Sequence, residues 1–381
     1  FTTAKMKILF DLTLEVAKSM ENLFGEHAMK KPCAFHYITD IIGTCSFGLD
    51  INSFKDGAFS ASIRKLGEAS YGFAKMSFCL AFPEFGNFLG IPLFAKKQTE
   101  YFCNLVDETM KSRLASSTVR NDFLQIILDL QRENVIDDIE SKGFCMLFLL
   151  AGFEPIGAAL TFTLFELASN EDIQDKLRDK INKALEENNG KVTYETVHNI
   201  RYLDMIVCEV LRKYPPVSIL NRTCVRDTKL PNTNFTIEKG TKIVIPVCGL
   251  HHDPEFFPDP DKFDPERFSE DKQNIRPYTY TPFGEGPRSC IGDRFSKQAL
   301  KVGIFTIIRK YRLKLNPMVK LPLELGSSLR FLRLPMYYWM LKKFRSNMMK
   351  TFNKVPKLKA RQVYQRFALC RTKLLPSWQL P

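Results

Sequence analysis

The strongest fold signal in this chain is the stretch Pro282-Phe283-Gly284-Glu285-Gly286-Pro287-Arg288-Ser289-Cys290-Ile291-Gly292. It contains three glycines and two prolines in eleven residues. Glycine permits positive φ angles and proline fixes φ, so a regular strand or helix is excluded here. The stretch is therefore predicted to be a rigid loop that holds Cys290.

The residues after this loop predict a helix that begins at Asp293 and ends at Tyr311. Apolar side chains recur along one face of it, at Phe295, Ala299, Leu300, Ile304 and Ile307. Cys290 then lies just before a helix N-terminus, where unpaired N–H groups and the helix dipole favour an anion, here a thiolate. One thiolate on such a loop suits a single-cysteine metal site better than zinc, which takes three or four protein ligands.

The loop resembles the haem-binding signature of cytochromes P450, Phe-x-x-Gly-x-Arg-x-Cys-x-Gly, since it matches every fixed position. The resemblance implies a haem cofactor (heme, iron protoporphyrin IX) with the Cys290 thiolate as its axial metal ligand. A buried structural cysteine in a turn is the alternative, and five matched positions argue against it. The predicted cofactor-binding residues are Cys290, Arg288, Phe283, Gly284, Gly286, Gly292 and Arg222. Phe283 would shield the sulfur, and Arg288 and Arg222 would pair with haem propionates.

The resemblance covers about residues 1–320 and implies a mainly α fold with small β-sheets (α+β), the cytochrome P450 fold. Residues 1–320 would form the P450 domain from the end of its helix C onward. Residues 321–340 would be a degenerate C-terminal β region, and residues 341–381 a basic, poorly ordered tail. Because Phe1–Lys7 resembles the end of helix C, we expect an N-terminally truncated chain that lacks the family's membrane anchor.

Periodicity predicts the other secondary structure elements. We expect helices over residues 3–24 (ending at Gly25), 37–47, 121–133, 144–168, 170–187 and 202–214. A β-hairpin is expected where Phe235–Ile237 and Lys242–Pro246 flank Glu238-Lys239-Gly240.

Residues 144–168 are the longest apolar stretch and have the length of a membrane span. Glu154 and Pro155 lie at its centre, which is costly in lipid, so a buried helix is favoured. Ala151-Gly152-Phe153-Glu154-Pro155 resembles the oxygen-binding groove of helix I in P450s. The resemblance makes Ala151, Gly152 and Glu154 the candidate catalytic residues. The two small residues would leave room beside the haem, and Glu154 would carry a proton.

Pro155 departs from the family pattern, which has threonine at this position. Proline removes a helical hydrogen bond and predicts a kink. It also removes the hydroxyl that would relay a proton, which puts coupled cleavage of dioxygen in doubt. A substrate hydroxyl or an ordered water could substitute, or the enzyme could rearrange a peroxide instead.

Two further motifs predict a structural network behind the loop. Glu209-Val210-Leu211-Arg212 matches Glu-x-x-Arg of helix K, and Pro265-Glu266-Arg267-Phe268 matches the family's Pro-Glu-Arg-Phe motif. Glu209 and Arg212 are three residues apart on one helix face, and an apolar surrounding would require a third partner. Arg267 would complete that Glu-Arg-Arg network. His251-His252 is assigned to the family's His-His-Asp-Pro stretch and not to a metal site.

The composition of the chain indicates which cellular compartment and which binding partners the protein has. The chain carries a formal net charge of +13, of which eleven charges lie in residues 341–381, so the rest is nearly neutral and no nucleic-acid surface is indicated. Ten cysteines without a Cys-x-x-Cys pair are typical of a reducing compartment. The resemblance implies the cytosolic face of the endoplasmic reticulum membrane. It also implies NADPH-cytochrome P450 reductase as a partner, with cytochrome b5 as a second one, and Arg288, Arg294, Lys297 and Lys301 as the cations that face them.

The function implied is that of a haem-thiolate monooxygenase. It would insert one oxygen atom from O2 into a small hydrophobic substrate, a xenobiotic or plant compound, with electrons from NADPH. The flanking motifs look most like insect microsomal P450s. Two alternatives stay open: a peroxide-rearranging isomerase or dehydratase on the same haem, and a catalytically impaired haem-binding fragment.

Overall fold

The computed structural model describes residues 3–27, 33–49, 51–53, 59–63, 65, 85, 88–90, 94, 96–116, 120, 122–270, 275–315 and 339–343. The described residues all fall within one compact unit, Phe1–Lys343. The tail beyond residue 343 and residues 321–338 lie outside the described residues, so the domain boundaries stay predictions.

Helix α5, Asp138–Ser169, is the centre of the fold. It begins at a capping box, in which the Asp137 carboxylate accepts from the Glu140 N–H at 2.7 Å and the Glu140 carboxylate accepts from the Asp137 N–H at 3.0 Å. From Ile156 to Ala168 every residue except Thr161 is buried. A helical segment that is apolar on all sides must be shielded from water, and the neighbouring helices of the fold shield this one.

The other helices contact α5 directly or through a neighbour. Helices α2, α3, α4, α6, α8 and α10 and strand β5 touch it. The helices are α1 Thr3–His27, α2 Cys33–Phe47, α3 Lys96–Ser116, α4 Phe123–Arg132, α6 Glu171–Glu187, α7 Tyr194–His198, α8 Arg201–Lys213, α9 Val247–His251 and α10 Asp293–Lys310. The helices predicted from periodicity are confirmed within a few residues at most ends. The predicted stop at Gly25 is wrong, because α1 continues through it to His27.

Helix α5 passes the length and composition test for a membrane span, with a mean hydropathy of 1.8 over its most apolar window. Half of that window is buried within the fold. Two carboxylates, Glu154 and Glu166, are also buried along it. This burial favours a helix in the protein core over a membrane span, as the sequence analysis predicted.

Helix α10 is held tightly against α1 and α2. The Tyr37 hydroxyl on α2 donates to the Ala299 carbonyl at 3.0 Å. A Cβ at Gly303 would lie 2.8 Å from the Tyr37 ring, so glycine permits this close approach. The Tyr311 hydroxyl donates to the Glu21 carbonyl on α1 at 2.9 Å. The helix that follows Cys290 is therefore fixed to the core on two sides.

Within the described ranges, three small antiparallel sheets complete the α+β fold. Strand β1 (Leu220–Thr223) pairs with β4 (Lys242–Ile245), β2 (Thr228–Lys229) with β3 (Thr236–Ile237), and β5 (Tyr311–Leu315) with β6 (Trp339–Lys343). Strand β6 runs across the boundary that the sequence analysis placed between residues 340 and 341.

The predicted hairpin around residues 238–240 is wrong in its pairing. A turn is present, with the Thr241 N–H donating to the Glu238 carbonyl at 3.2 Å. The Gly240 N–H, however, donates to the Cys224 carbonyl at 2.7 Å, and the Cys224 N–H donates to the Thr241 carbonyl at 2.9 Å. These bonds direct the chain onto β1, so β3 and β4 pair with earlier strands and not with each other.

Candidate active site

The loop before α10 is closed by its own backbone hydrogen bonds. The Cys290 N–H donates to the Phe283 carbonyl at 2.8 Å, and the Ser289 N–H donates to the Gly286 carbonyl at 3.0 Å, where residues 286–288 form a 3-10 turn. Gly284 and Gly286 have φ angles of +73° and +76°, which side chains with a Cβ rarely adopt. The rigid loop predicted from the sequence is confirmed in these residues.

Cys290 lies at the exposed tip of this loop. Helix α10 begins three residues later, with Gly292 at its N-cap and no side chain capping its first N–H groups. A Cβ at Gly292 would lie 3.8 Å from the Cys290 sulfur. The sulfur is therefore accessible, next to backbone N–H groups and a helix dipole that favour an anion.

Two arginines beside the loop carry charge that no described carboxylate neutralises. Arg222 is half-buried on β1, and a Cβ at Gly284 would lie 3.9 Å from its guanidinium. Its guanidinium donates to the Asn221 carbonyl at 2.9 Å. Arg288 is exposed in the loop itself. Neither guanidinium forms an ion pair within the described part of the chain, so both are available to an anionic ligand.

The first half of α5 presents an apolar stripe close to α10. Phe144, Leu147 and Ala151 follow each other at helical spacing and are exposed, the first two by 45% and 62%. The Phe148 ring between them lies 6.3 Å from the ring of Phe295 on α10. Exposed apolar side chains on a core helix indicate a binding surface for an apolar ligand.

The small size of Gly152 permits a contact that the sequence analysis did not predict, and its role beside a haem stays a prediction. A Cβ at this position would lie 2.5 Å from the Cδ1 atom of Ile42 on α2. The missing side chain thus permits the contact between α5 and α2. Ala151, by contrast, is exposed on the apolar stripe, as a residue beside a cofactor would be.

Glu154 and Pro155 lie inside an uninterrupted helix. Glu154 is buried, and Pro155 is half-buried. Helix α5 continues through both to Ser169, so proline does not end it. The proposed proton-carrying role of Glu154 stays a prediction.

The Glu209, Arg212 and Arg267 side chains come together as predicted. The Arg212 guanidinium donates to both Glu209 oxygens, at 2.7 and 2.9 Å, and both residues are fully buried. The Arg267 Nε atom lies 3.5 Å from Glu209. Burial raises the pKa of Glu209, and the hydrogen bonds and charge of Arg212 oppose that shift. Arg212 also donates to the carbonyls of His251 and Pro260 at 2.8 Å. These bonds hold the segment that contains both residues against α8.

His251 connects α8 to the residue before the loop, a role that the sequence analysis did not assign to it. Its Nδ1 atom lies 3.2 Å from the Arg212 carbonyl, and its Nε2 atom accepts from the Thr281 N–H at 3.0 Å. Both ring nitrogens are therefore used in hydrogen bonds, which agrees with the assignment of this histidine to a non-metal role. Among the described residues, no group of three or more metal-ligating side chains is present.

The cations expected to face a redox partner differ in accessibility. Arg288 and Arg294 are exposed. Lys297 is half-buried, with its ammonium 5.0 Å from the centre of the Phe283 ring. Lys301 is 5% exposed and forms an ion pair with Asp204 on α8. The expectation that Lys301 belongs to a partner surface is wrong, because its helix position faces the core.

The family model and the known proteins that match this chain all carry the same family description. A family model described as "Cytochrome P450" matches residues 4–355. The chain is 38% identical over 340 residues to a Drosophila melanogaster protein named "Probable cytochrome P450 6a13", covering 86% of this chain and 68% of that protein. It is 35% and 32% identical to the Blattella germanica proteins cytochrome P450 6k1 and cytochrome P450 9e2. Those matches cover 86% and 85% of this chain, and 68% and 69% of the two proteins.

Proposed function

The chain belongs to the cytochrome P450 family of haem-thiolate monooxygenases, and from this premise we propose that Cys290 is the axial ligand of its haem. The observation that carries the proposal is the exposed sulfur at the tip of a preformed loop, three residues before α10. Of the seven cysteines for which burial is described, Cys290 is the exposed one.

The residues around the sulfur suit an anionic, flat and largely apolar cofactor. Arg222 and Arg288 form no ion pair with any described carboxylate, and their guanidinium groups would bind the two carboxylates of a haem. Ala151 and the neighbouring side chains of α5 offer apolar surface. The chemistry of this donor set therefore fits haem, with one thiolate for the iron.

Each residue then has a task. When bound, the haem supplies the activation of dioxygen and the transfer of one oxygen atom. The Cys290 thiolate would hold the iron and would be stabilised by the backbone N–H groups of the loop and of α10. Phe283 covers the sulfur side, and the stripe of Phe144, Leu147 and Ala151 excludes water and binds the substrate. Glu154, which is buried on α5, would carry a proton into the site.

We infer a small hydrophobic substrate, of the xenobiotic or plant-compound type, from the apolar side chains along α5. Electrons would come from NADPH through NADPH-cytochrome P450 reductase, with cytochrome b5 as a second donor. Arg288 and Arg294 are exposed near the loop and would attract an acidic protein surface. The proposed location is the cytosolic face of the endoplasmic reticulum membrane.

A second function is suggested by Pro155, which supplies no hydroxyl next to Glu154. A peroxide-rearranging isomerase or dehydratase has no need of a proton relay for dioxygen. The two functions differ in their need for electrons. Turnover that depends on NADPH and reductase supports the monooxygenase, whereas turnover of a lipid hydroperoxide without NADPH supports the rearrangement.

The ligand assignment is tested by the spectrum of the haem-loaded protein reduced under carbon monoxide. We expect the red-shifted Soret band of a thiolate-ligated haem. Cys290→Ala should abolish this band, and the control Cys248→Ala, which removes a half-buried thiol on α9, should keep it. A histidine-type band in the unmodified protein, or an unchanged band in Cys290→Ala, would contradict the proposal.

A further inference from the structure

Lys297 occupies an unusual position on α10. Its ammonium lies 5.0 Å from the centre of the Phe283 ring, and both side chains are half-buried. No described carboxylate forms an ion pair with it. Lys301, one turn further along the helix, is paired with Asp204. Lys297 is thus a partly buried cation whose described partner is an aromatic ring face.

The position of this cation follows from helix geometry. Side chains of a helix tilt toward its N-terminus, so Lys297 reaches back from the second turn of α10 toward the loop that carries Cys290. The ring that it covers belongs to Phe283, whose carbonyl accepts the Cys290 N–H at 2.8 Å. The Lys297 ammonium therefore lies over the ring of Phe283, and the backbone of Phe283 is in turn hydrogen-bonded to Cys290.

The charge of Lys297 also reaches toward α8. Burial raises the pKa of the Cys208 thiol on α8, and the positive charge of Lys297 opposes that shift. The ammonium therefore lies within electrostatic reach of α8 as well as over the Phe283 ring. A charge held there acts on groups in the loop with less screening than an exposed one.

We propose that Lys297 is a positioning residue of the haem site that holds the Phe283 ring beside Cys290 and favours reduction of the bound iron. This inference rests on the proposed ligation by Cys290. Reduction adds one electron, supplied by the reductase, and converts ferric to ferrous iron, so the net charge of the site falls by one. A fixed positive charge nearby stabilises the more negative product. A Phe283 ring that is held in place by the Lys297 ammonium also limits the access of water to the Cys290 sulfur.

The test is a potentiometric titration of the haem-loaded protein with small mediator dyes, without a protein electron donor. Lys297→Met keeps the apolar stem but removes the charge, and Lys297→Arg keeps the charge. We expect Lys297→Met to lower the equilibrium constant for reduction roughly threefold to tenfold, where tenfold equals about 59 mV. Lys297→Arg should stay within about twofold of the unmodified protein.

A second readout follows the thiolate-type carbon monoxide band over time under mild denaturant. It should disappear faster in Lys297→Met than in Lys297→Arg. Arg294→Gln on the same helix is the matched control, and it should leave the potential unchanged even where it slows reduction by the reductase. Equal potentials in Lys297→Met and the unmodified protein, or an equal shift in Arg294→Gln, would overturn the inference.

The outcome separates this inference from the proposed function. A thiolate-type band in the unmodified protein together with an unshifted potential in Lys297→Met rejects the role of Lys297 alone. The lack of a thiolate-type band in the unmodified protein rejects the ligation by Cys290 and this inference with it.

Discussion

The imidazole of His251 accepts a hydrogen bond from the backbone N–H of Thr281 at 3.0 Å, one residue before the Cys290 loop begins. Its other ring nitrogen lies 3.2 Å from the backbone carbonyl of Arg212. The guanidinium of the same arginine donates hydrogen bonds to the Glu209 carboxylate. Because the Nδ1 atom must donate to that carbonyl, the Nε2 atom is left as the acceptor for Thr281. One neutral histidine thus connects the buried Glu209–Arg212 pair to the loop.

This arrangement predicts a pH dependence of stability. Burial, with the charge of Arg212, lowers the pKa of His251 to about 4. A folded-state pKa below the unfolded value near 6.5 means that the contribution is present above pH 6.5 and is lost as the pH falls toward 4. Between pH 7 and pH 5 the loss from His251 should be about 2 kcal/mol of unfolding free energy.

Urea denaturation of the unmodified protein and of His251→Gln at both pH values checks this. Gln cannot titrate, so its stability should fall less between pH 7 and pH 5. Burial raises the pKa of Asp40 to about 6, and that group titrates in both proteins and cancels in the comparison. An equal fall in the two proteins would show that folding does not lower the pKa of His251.

Removing one member of the buried ion pair should be severe. Arg212→Met leaves the Glu209 carboxylate buried without its main partner and removes the bonds to His251 and Pro260. The expected loss is about 3–5 kcal/mol of unfolding free energy, with loss of bound haem. Arg267→Gln is the control, since Arg267 is more exposed and 3.5 Å from Glu209, and it should cost about 1 kcal/mol. Equal losses of unfolding free energy in the two variants would mean that Arg212 is not the main partner of Glu209.

The loop glycines can be tested with a matched pair of substitutions. Gly286 and Gly190 have φ angles of +76° and +74°, and a Cβ at either would meet no atom within 4 Å. Alanine at each should cost about 1–2 kcal/mol of unfolding free energy through backbone strain alone. Only Gly286→Ala should also alter the haem absorption spectrum. A changed spectrum in Gly190→Ala would indicate a general loss of structure instead.

The close approach of Gly152 to Ile42 predicts a coupled pair. Gly152→Ala places a Cβ 2.5 Å from the Ile42 Cδ1 atom and should cost about 1–2 kcal/mol in unfolding free energy, after the gain in helix propensity. Ile42→Val removes that atom, so alanine at position 152 should be neutral or stabilising in the Ile42→Val background. Thermal unfolding of the four proteins gives the coupling energy. Additive effects would contradict the steric explanation.

The role of Arg222 is tested against its neighbour Arg226. Arg222→Gln should lower haem affinity about tenfold, since a charge-assisted hydrogen bond contributes about 1.5 kcal/mol or more. Arg226 is exposed, four residues along the chain, and Arg226→Gln should leave haem affinity unchanged. Haem transfer to an acceptor protein measures both. Equal haem loss in the two variants would remove Arg222 from the site.

Much of the local structure was predictable because its causes are local. Helix periodicity located α5, α6, α8 and α10 within a few residues, except that α5 begins earlier at its capping box. The spacing of Glu209 and Arg212 predicted their pairing, and the family resemblance supplied Arg267 as the third member; both contacts are present. The strand partners could not be predicted in the same way. The turn at residues 238–240 was identified, but its flanking strands bond to β1 and β2.

The sequence by itself determined the conformation of the loop around Cys290, because proline fixes φ and glycine readily adopts the positive φ angles found there, whatever surrounds them. It also determined the family, through five residues at fixed spacing. Only the tertiary structure decided that Gly152 accommodates Ile42, that Lys301 is buried against Asp204, and that Lys297 covers Phe283. Those outcomes depend on contacts between residues far apart in the chain, which no local pattern records.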